Sequence, residues 1–358
     1  MQPRTLDPPA ARQTRHVAGL DSIRLVCALW VLFGHVGFLP LVAGIDRTSR
    51  IGYLIAGAFD NAVSGPAAVV VFFVISGFCI HYPFRGGVPV PLTSFYSRRY
   101  ARVLIPMAAA ILLGRPLGIK LGVLSDSILW SLVAEEIYYF LYPGLHALRN
   151  FVSFRPLIAL AYLLAILVVV LRDPWAGNYP SYGPFLNWVV GLPCWLLGCE
   201  LAERPLPRVP TAREIWQWRL GVWFLSSVAS VLRFHGPLKY PWTLNLFAFV
   251  AFFWLAREMA FADESRPVGL LERGGKWSYS IYLCHLHGDA LYQRLGVPSL
   301  GYLLGWIVKT SFVLLVCYVF YRVVEKPSHT LARRISQRLL RRPDPETQRA
   351  LKASFPKP

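Results

Sequence analysis

No two cysteines in this sequence stand as a C-x-x-C pair and no two histidines as H-x-x-x-H, so the usual spacings of a metal site are missing. Also missing are a Gly-rich phosphate loop, a dinucleotide fingerprint and a G-x-S-x-G elbow, which removes the common sequence routes to nucleotide binding and serine-hydrolase chemistry. Acidic side chains are scarce: 19 Asp and Glu stand against 37 Lys and Arg, a net charge of +18. Charged residues of both signs make up only 16% of the chain, while 55% is hydrophobic and 14% aromatic, which excludes a disordered polyelectrolyte. The six cysteines, Cys27, Cys79, Cys194, Cys199, Cys284 and Cys317, sit singly in or beside apolar segments, where small buried thiols are expected. No basic stretch carries the exposed, interleaved aromatics of a base-stacking platform, so nucleic acid is not an expected partner. No internal repeat recurs at a fixed period. The first seventeen residues hold three Arg and three Pro and no apolar stretch, so no cleavable signal peptide is expected.

Apolar runs are what the chain has in quantity. Its 358 residues would suffice for two or three soluble domains, but runs close to membrane-spanning length recur from near residue 18 to residue 321, separated by short Arg-rich loops. They predict an all-α, polytopic transmembrane helical bundle of about ten spans, at 18–41, 66–82, 103–119, 123–143, 157–171, 184–202, 217–233, 243–256, 277–293 and 302–321. The shortest, 243–256, is expected to be a partial span. Alternate loops divide Lys and Arg as 27 on one side and 8 on the other, so the positive-inside bias predicts both termini in the cytoplasm. The expected organisation is a cytoplasmic tail over 1–17, a transmembrane domain over 18–325 and a basic cytoplasmic tail over 326–358 that is solvated or lipid-associated. The basic excess then needs no partner beyond anionic membrane lipid.

An ionisable side chain at bilayer depth costs about 2.5 to 3.5 kcal/mol on insertion scales, so each one in a span is a candidate for function. Arg24 and His35 are eleven residues apart, which on an α-helix is three turns plus about 20°, so they share one face at about 16 Å separation. Asp21, three residues before Arg24, can neutralise it on the same side. One face of the first helix thus carries an anion contact near its cytoplasmic mouth and a proton-transfer group deeper in. The alternative is a snorkelling Arg and a hydrogen-bonded core His.

The segment GLDSIRLVCALWVLFGH, with its basic residue, ten residues and His, resembles the opening of the acyltransferase-3 family of integral-membrane O-acyltransferases. Further resemblances follow in the family's order: FFVISGF at Phe72–Phe78, FYSRRYARVLIP at Phe95–Pro106, WSLVAEEIYYFLYP at Trp130–Pro143, YSIYLCH at Tyr279–His285 and VVEKP at Val323–Pro327. The sequence departs from the family at Val70, where a polar residue is common. What the resemblance implies is transfer of an acyl group, usually acetyl from acetyl-CoA, to a hydroxyl of a carbohydrate such as an exopolysaccharide, O-antigen or lipid-linked glycan, in a bacterial cytoplasmic membrane. No tightly bound cofactor is implied. His35 then corresponds to the catalytic His, acting as base or as acyl carrier, with Arg24 as its basic partner. Imidazole titrates in the range such a base needs.

The remaining candidates follow from the same resemblance and from spacing. Arg98, Arg99 and Arg102 form a basic loop after the second span, suited to the phosphates of acyl-CoA. Ser76, Gly77 and Phe78 match the family's SGF motif, with Ser76 positioning or packing and Gly77 allowing close approach of a helix or the donor. Glu135 occupies the family's acidic position and is expected to partner a buried Arg or the imidazole; Glu136 points elsewhere. His285 is a second candidate in the site. His287 and Asp289 are expected near the outer interface, His81 towards the donor entrance, Lys309 snorkelling outward and Glu200 at a helix end. Glu325 belongs to a closing motif of mainly structural character. Two other classes fit the buried charges: a proton-coupled transporter, and a non-catalytic binder of a lipid-linked glycan.

Overall fold

Each apolar run folds as a helix, and the residues at its ends account for where it starts and stops. The computed structural model describes residues 17–122, 127–149 and 151–340, and contains no strand among them. The tail expected over 1–17 lies, apart from Val17, outside the described residues, as do the tail beyond 340 and the first four residues of the span expected at 123–143. Helix α1, Leu20–Val36, is bounded by Gly19 and Gly37, whose φ of 86° and 108° turn the chain in and out of the helix as few other residues could. A short helix, α2, Arg50–Asp60, begins where the Ser49 hydroxyl accepts from the Gly52 N–H. Ser64 caps α3, Gly65–His81, in the same way through Ala67, with Pro66 in the first turn.

Helix α4 runs over Leu92–Gly114, α5 over Trp130–Arg149, α6 over Phe154–Arg172 and α7 over Asn187–Glu203. Helix α8, Ala212–His235, opens with a capping box in which Thr211 and Glu214 satisfy each other's backbone N–H groups. Hydrogen bonds from the Arg208 guanidinium and the Thr211 N–H hold the Glu214 carboxyl at about 2, so this cap stays charged. Helix α9, Tyr240–Ser265, is followed by the short α10, Gly269–Gly275, then by α11, Ser278–Arg294, and α12, Tyr302–Phe320. A single π-helical turn, Tyr321–Glu325, leads directly into α13, Lys326–Leu340.

Helix α3 is the centre of the bundle. Val70, Val74, Ile75 and Ile80 are buried to within 1% of full enclosure, and α1, α7 and α9 pack around it. Outer helices carry their leucines outward: Leu160, Leu163 and Leu171 on α6, and Leu303, Leu304 and Leu315 on α12, are all more than half exposed. An exposed aliphatic belt of this kind is stable in lipid rather than in water. Five stretches, Arg50–Phe84, Leu92–Leu117, Phe154–Arg172, Tyr240–Ser265 and Tyr302–Leu339, are long and apolar enough to cross a membrane unaided.

Three sequence expectations are revised. The run at 243–256 is no partial element but the middle of α9, whose 26 residues make it the longest α-helix described. It continues past Arg257 and Glu258 because Glu258 is doubly bonded by Arg219 of α8, at 2.7 and 2.9 Å, and accepts from Trp254 at 2.8 Å, so its charge is compensated inside the bundle. The residues after 325 do not leave the body of the protein at once. Helix α13 lies on α4, with Ala332 buried and the Ser94 and Ser336 hydroxyls bonded at 2.6 Å. Arg98, Arg99 and Arg102 are in the second and third turns of α4, not in a loop.

Candidate active site

Two cavities open at opposite ends of α1. The first, of about 830 Å³, is lined by Asp21 and Arg24 of α1, by Ser76, Phe78 and Cys79 of α3, and by Arg98, Arg99 and Arg102 of α4. The second, of about 890 Å³, is lined by His35, by Ser64 and Pro66 at the start of α3, by Trp130 and by Tyr240. Val69 and Tyr282 belong to the walls of both cavities, so these two side chains form the partition between them. Both described ends of the chain meet at the first cavity, which Val17 and Ser336 line together.

Charge in the first cavity is mostly positive. Arg24 pairs with Asp21 at 3.0 Å and donates to the Cys79 sulfur at 3.2 Å. Positions 98 and 99 stand four and three residues before 102, so one face of α4 presents all three guanidinium groups. Arg99 lies near the rings of Phe95 and Tyr139, at 5.9 and 5.8 Å, which fixes it beside apolar surface while its N–H groups remain available. Sequence reasoning missed three further contributors, Lys276 just after α10 and His329 and Arg333 of α13, and read a fourth, Glu325 at the end of the π-helical turn, as mainly structural. Their signal was present: 325, 329 and 333 follow one another at i,i+4 and so share a helix face. Glu325 also accepts from the N–H and hydroxyl of Ser280 in the first turn of α11, where a helix has unpaired N–H groups.

Glu135 ends a run of hydrogen bonds in that cavity. Tyr139 donates to Glu135, Ser76 is bonded to Tyr139 at 3.2 Å, and the Trp195 indole donates to Ser76 at 3.2 Å. With the Tyr139 proton committed to the carboxylate, the Ser76 hydroxyl donates to Tyr139 and accepts from Trp195, so its proton and a lone pair are both engaged. Ser76 is therefore a structural link between α3, α5 and α7. Gly77 faces away, towards α7. A Cβ there would collide with the Trp195 carbonyl oxygen, and one at Gly198 would collide with that of Val74, so the two glycines set the close crossing of α3 and α7. Glu136 diverges from Glu135, and neither of its buried oxygens has a partner among the described residues.

In the second cavity the His35 Nδ1 lies 2.9 Å from the Val31 carbonyl oxygen. A carbonyl can only accept, so Nδ1 carries a proton, and the tautomer this selects has its lone pair on Nε2. The His285 ring packs beside it, centroid to centroid 5.0 Å, and is fixed in the same way by the Ile281 carbonyl at 3.0 Å. Its Nε2 is buried without a partner among the described residues. The end of α1 that carries His35 is held by α12: Trp306 donates to the Gly37 carbonyl at 3.0 Å, and the Lys309 ammonium to that of Val36 at 3.2 Å. A cation there also suits the negative end of the helix dipole.

Other candidates lie elsewhere. Lys309 does not snorkel outward; besides Val36 it pairs with Asp289 at 2.8 Å. His287 donates or accepts through Nε2 at the Ala110 carbonyl, and since a carbonyl accepts, it donates. His81 is fully buried between Tyr142 and Glu203 and is not part of the lining of the first cavity, and Arg149 completes that cluster. Glu200 sits near the end of α7 beside Arg155 and Arg204. No group of three or more metal-ligating side chains exists among the described residues.

Comparison with known families gives one result. The model of a family described as an acyltransferase domain matches residues 17–322, from just before α1 to the π-helical turn after α12. No curated protein and no solved structure matches the chain.

Proposed function

This chain belongs to the acyltransferase-3 family of membrane O-acyltransferases, and on that premise we propose that it moves an acetyl group from acetyl-CoA in the Arg24 cavity to a carbohydrate hydroxyl in the His35 cavity. The observation that carries this reading is the division of α1 between two cavities that share Val69 and Tyr282 as a partition. Acyl-CoA is too large and charged to cross lipid, whereas a surface glycan lies on the other side, so donor and acceptor need separate openings and one point of contact.

The Arg24 cavity is then cytoplasmic, in accord with the positive-inside excess of that side, and the chain crosses a cytoplasmic membrane about ten times. Arg98, Arg99, Arg102 and Arg333 receive the phosphates of the donor, with Phe78 beside it, and Arg24, neutralised by Asp21, stands further in. The thioester reaches the partition at Val69 and Tyr282. His35 Nε2 takes the proton of the acceptor hydroxyl as its oxygen bonds to the thioester carbon. The C–S bond breaks, and the departing thiolate recovers that proton from the imidazolium as free CoA. Hydrogen bonding of Nδ1 to Val31 supports this role, because it keeps the free lone pair on the nitrogen that must act. His285 packs against the reacting ring and restricts its rotation.

The test is consumption of radiolabelled acetyl-CoA by the full chain in lipid nanodiscs, beside His35→Ala, with bacterial surface glycans offered as acceptors. Transfer that disappears in the variant is the expected result. Equal label transfer by both proteins would overturn the assignment of His35.

A further inference from the structure

Three cations from separate parts of the chain line the His35 cavity: Arg47 between α1 and α2, Lys120 after α4, and Arg233 in the last turn of α8. One carboxylate in its lining, Asp60, opposes them, and it is engaged by Arg47 at 2.8 Å. Neither Lys120 nor Arg233 has an acidic partner among the described residues. Nearby Lys239 makes a useful contrast, since its ammonium is spent on the carbonyls of Arg233 and Gly236 at the end of α8. Arg233 is held in place without being neutralised. Its guanidinium lies over the Phe234 ring at 4.2 Å and near that of Tyr240 at 5.6 Å, and a side chain at Gly177 would meet it.

Membrane anchoring does not account for this arrangement. On the orientation read from the sequence, this is the side with 8 of the 37 basic residues, and three of them converge on one cavity. A cleft with apolar walls and an excess of one charge raises the local concentration of ligands of the other sign. A neutral sugar filling it would strip water from Lys120 and Arg233 and return no charge to them.

We propose that the acceptor carries an anionic oxygen group, a carboxylate on a sugar or a phosphate attached to one, which Lys120 and Arg233 bind while a neighbouring hydroxyl is presented to His35. This rests on the O-acyltransferase reading of the same cavity. Trp130 and Phe38 in the same lining add apolar wall beside which a sugar ring can lie.

The experiment is equilibrium binding to the full chain in nanodiscs of zwitterionic lipid at low salt, with two matched pairs of probes. One pair is a tetragalacturonate and its carboxyl-reduced counterpart. The other is a farnesyl-pyrophosphate-linked N-acetylglucosamine and the farnesyl glycoside without phosphates. At least one anionic probe is expected to bind about tenfold more tightly than its neutral partner, and Lys120→Gln with Arg233→Gln to reduce that ratio to about twofold or less. The pair that discriminates identifies carboxylate or phosphate as the group. Lys120→Arg should keep the preference, and Lys120→Gln alone, at an exposed position, should weaken it if the double variant does not fold. No discrimination within either pair, or discrimination that survives both substitutions, overturns the proposal. Acetyl-CoA consumption that depends on His35 is scored separately, so an anion site in a protein without that activity would refute the acyltransferase reading and leave the site standing.

Discussion

Arg24 and His35 stand on one helix but open into different cavities, with Val69 and Tyr282 between those cavities. On the proposed function the two side chains act on different substrates, and their loss should register in different kinetic constants. His35→Ala is expected to lower kcat by about 10²- to 10⁴-fold, the usual range for a lost general base, while acetyl-CoA binding measured directly is retained. Arg24→Ala should chiefly raise the KM for acetyl-CoA, since it removes charge from the donor side. Steady-state kinetics in nanodiscs, with donor binding measured on the same preparations, separates the two patterns. Loss of donor binding in His35→Ala would contradict the division.

Arg333 offers a check that the donor site includes α13, which sequence patterning placed in a tail. Arg99→Ala and Arg102→Ala together should raise the KM for acetyl-CoA about tenfold or more. Arg333→Ala should move the same constant in the same direction, with little change in kcat. The effect should shrink for a truncated donor such as acetyl-pantetheine, which lacks the nucleotide phosphates. An equal KM increase for both donors would show that the guanidinium groups act on something other than phosphate.

Ser76 has a hydroxyl in the Arg24 cavity, but its bonds to Tyr139 and Trp195 leave it no free proton. Ser76→Ala should therefore retain turnover within about tenfold and lose about 1 to 3 kcal/mol of stability, the cost of a buried indole N–H and phenol left short of a partner. Thermal unfolding in nanodiscs and initial rates give the two readings. A fall in rate as deep as that of His35→Ala would make Ser76 part of the chemistry.

The helices were largely legible in the sequence, because runs such as LIALAYLLAILVVVL leave no other structure open in lipid. Elements whose apolar residues cover only one face were not. The segment RIGYLIAGAFD of α2 is too short to span, and KPSHTLARRISQRLL of α13 is too polar to attract notice by hydropathy, although each is helical. Missing α13 meant missing Arg333 and His329. Pairings between distant segments were equally hidden: nothing in GLDSIRLVCALWVLFGH says that Arg24 meets Cys79, or that α12 holds the end of α1. The motif SGF was visible, but only the structure distinguishes Gly77, which admits α7, from Ser76 and Phe78, which face the cavity.

Lys309 joins stability to the position of His35. Its ammonium lies 2.8 Å from Asp289 and donates to the carbonyl of Val36, the residue after His35, while both charged side chains remain partly exposed at 26% and 16%. Lys309→Met leaves Asp289 without its cation and the last carbonyls of α1 short of a donor. Partial exposure holds the stability cost to about 1 to 3 kcal/mol, below the 3 to 5 typical when a fully buried pair is broken. Asp289→Asn removes the charge but keeps Lys309 on Val36, so it should cost less. The functional effects should diverge more than the thermal ones. Freed from α12 at Val36, the end of α1 that carries His35 loses its register against the second cavity, so on the proposed function Lys309→Met should reduce kcat several-fold with the KM for acetyl-CoA unchanged. Asp289→Asn should leave kcat close to wild type. Parallel kinetics and melting curves decide the matter, because a lysine that served stability alone would lower the melting temperature in both variants and spare kcat in both.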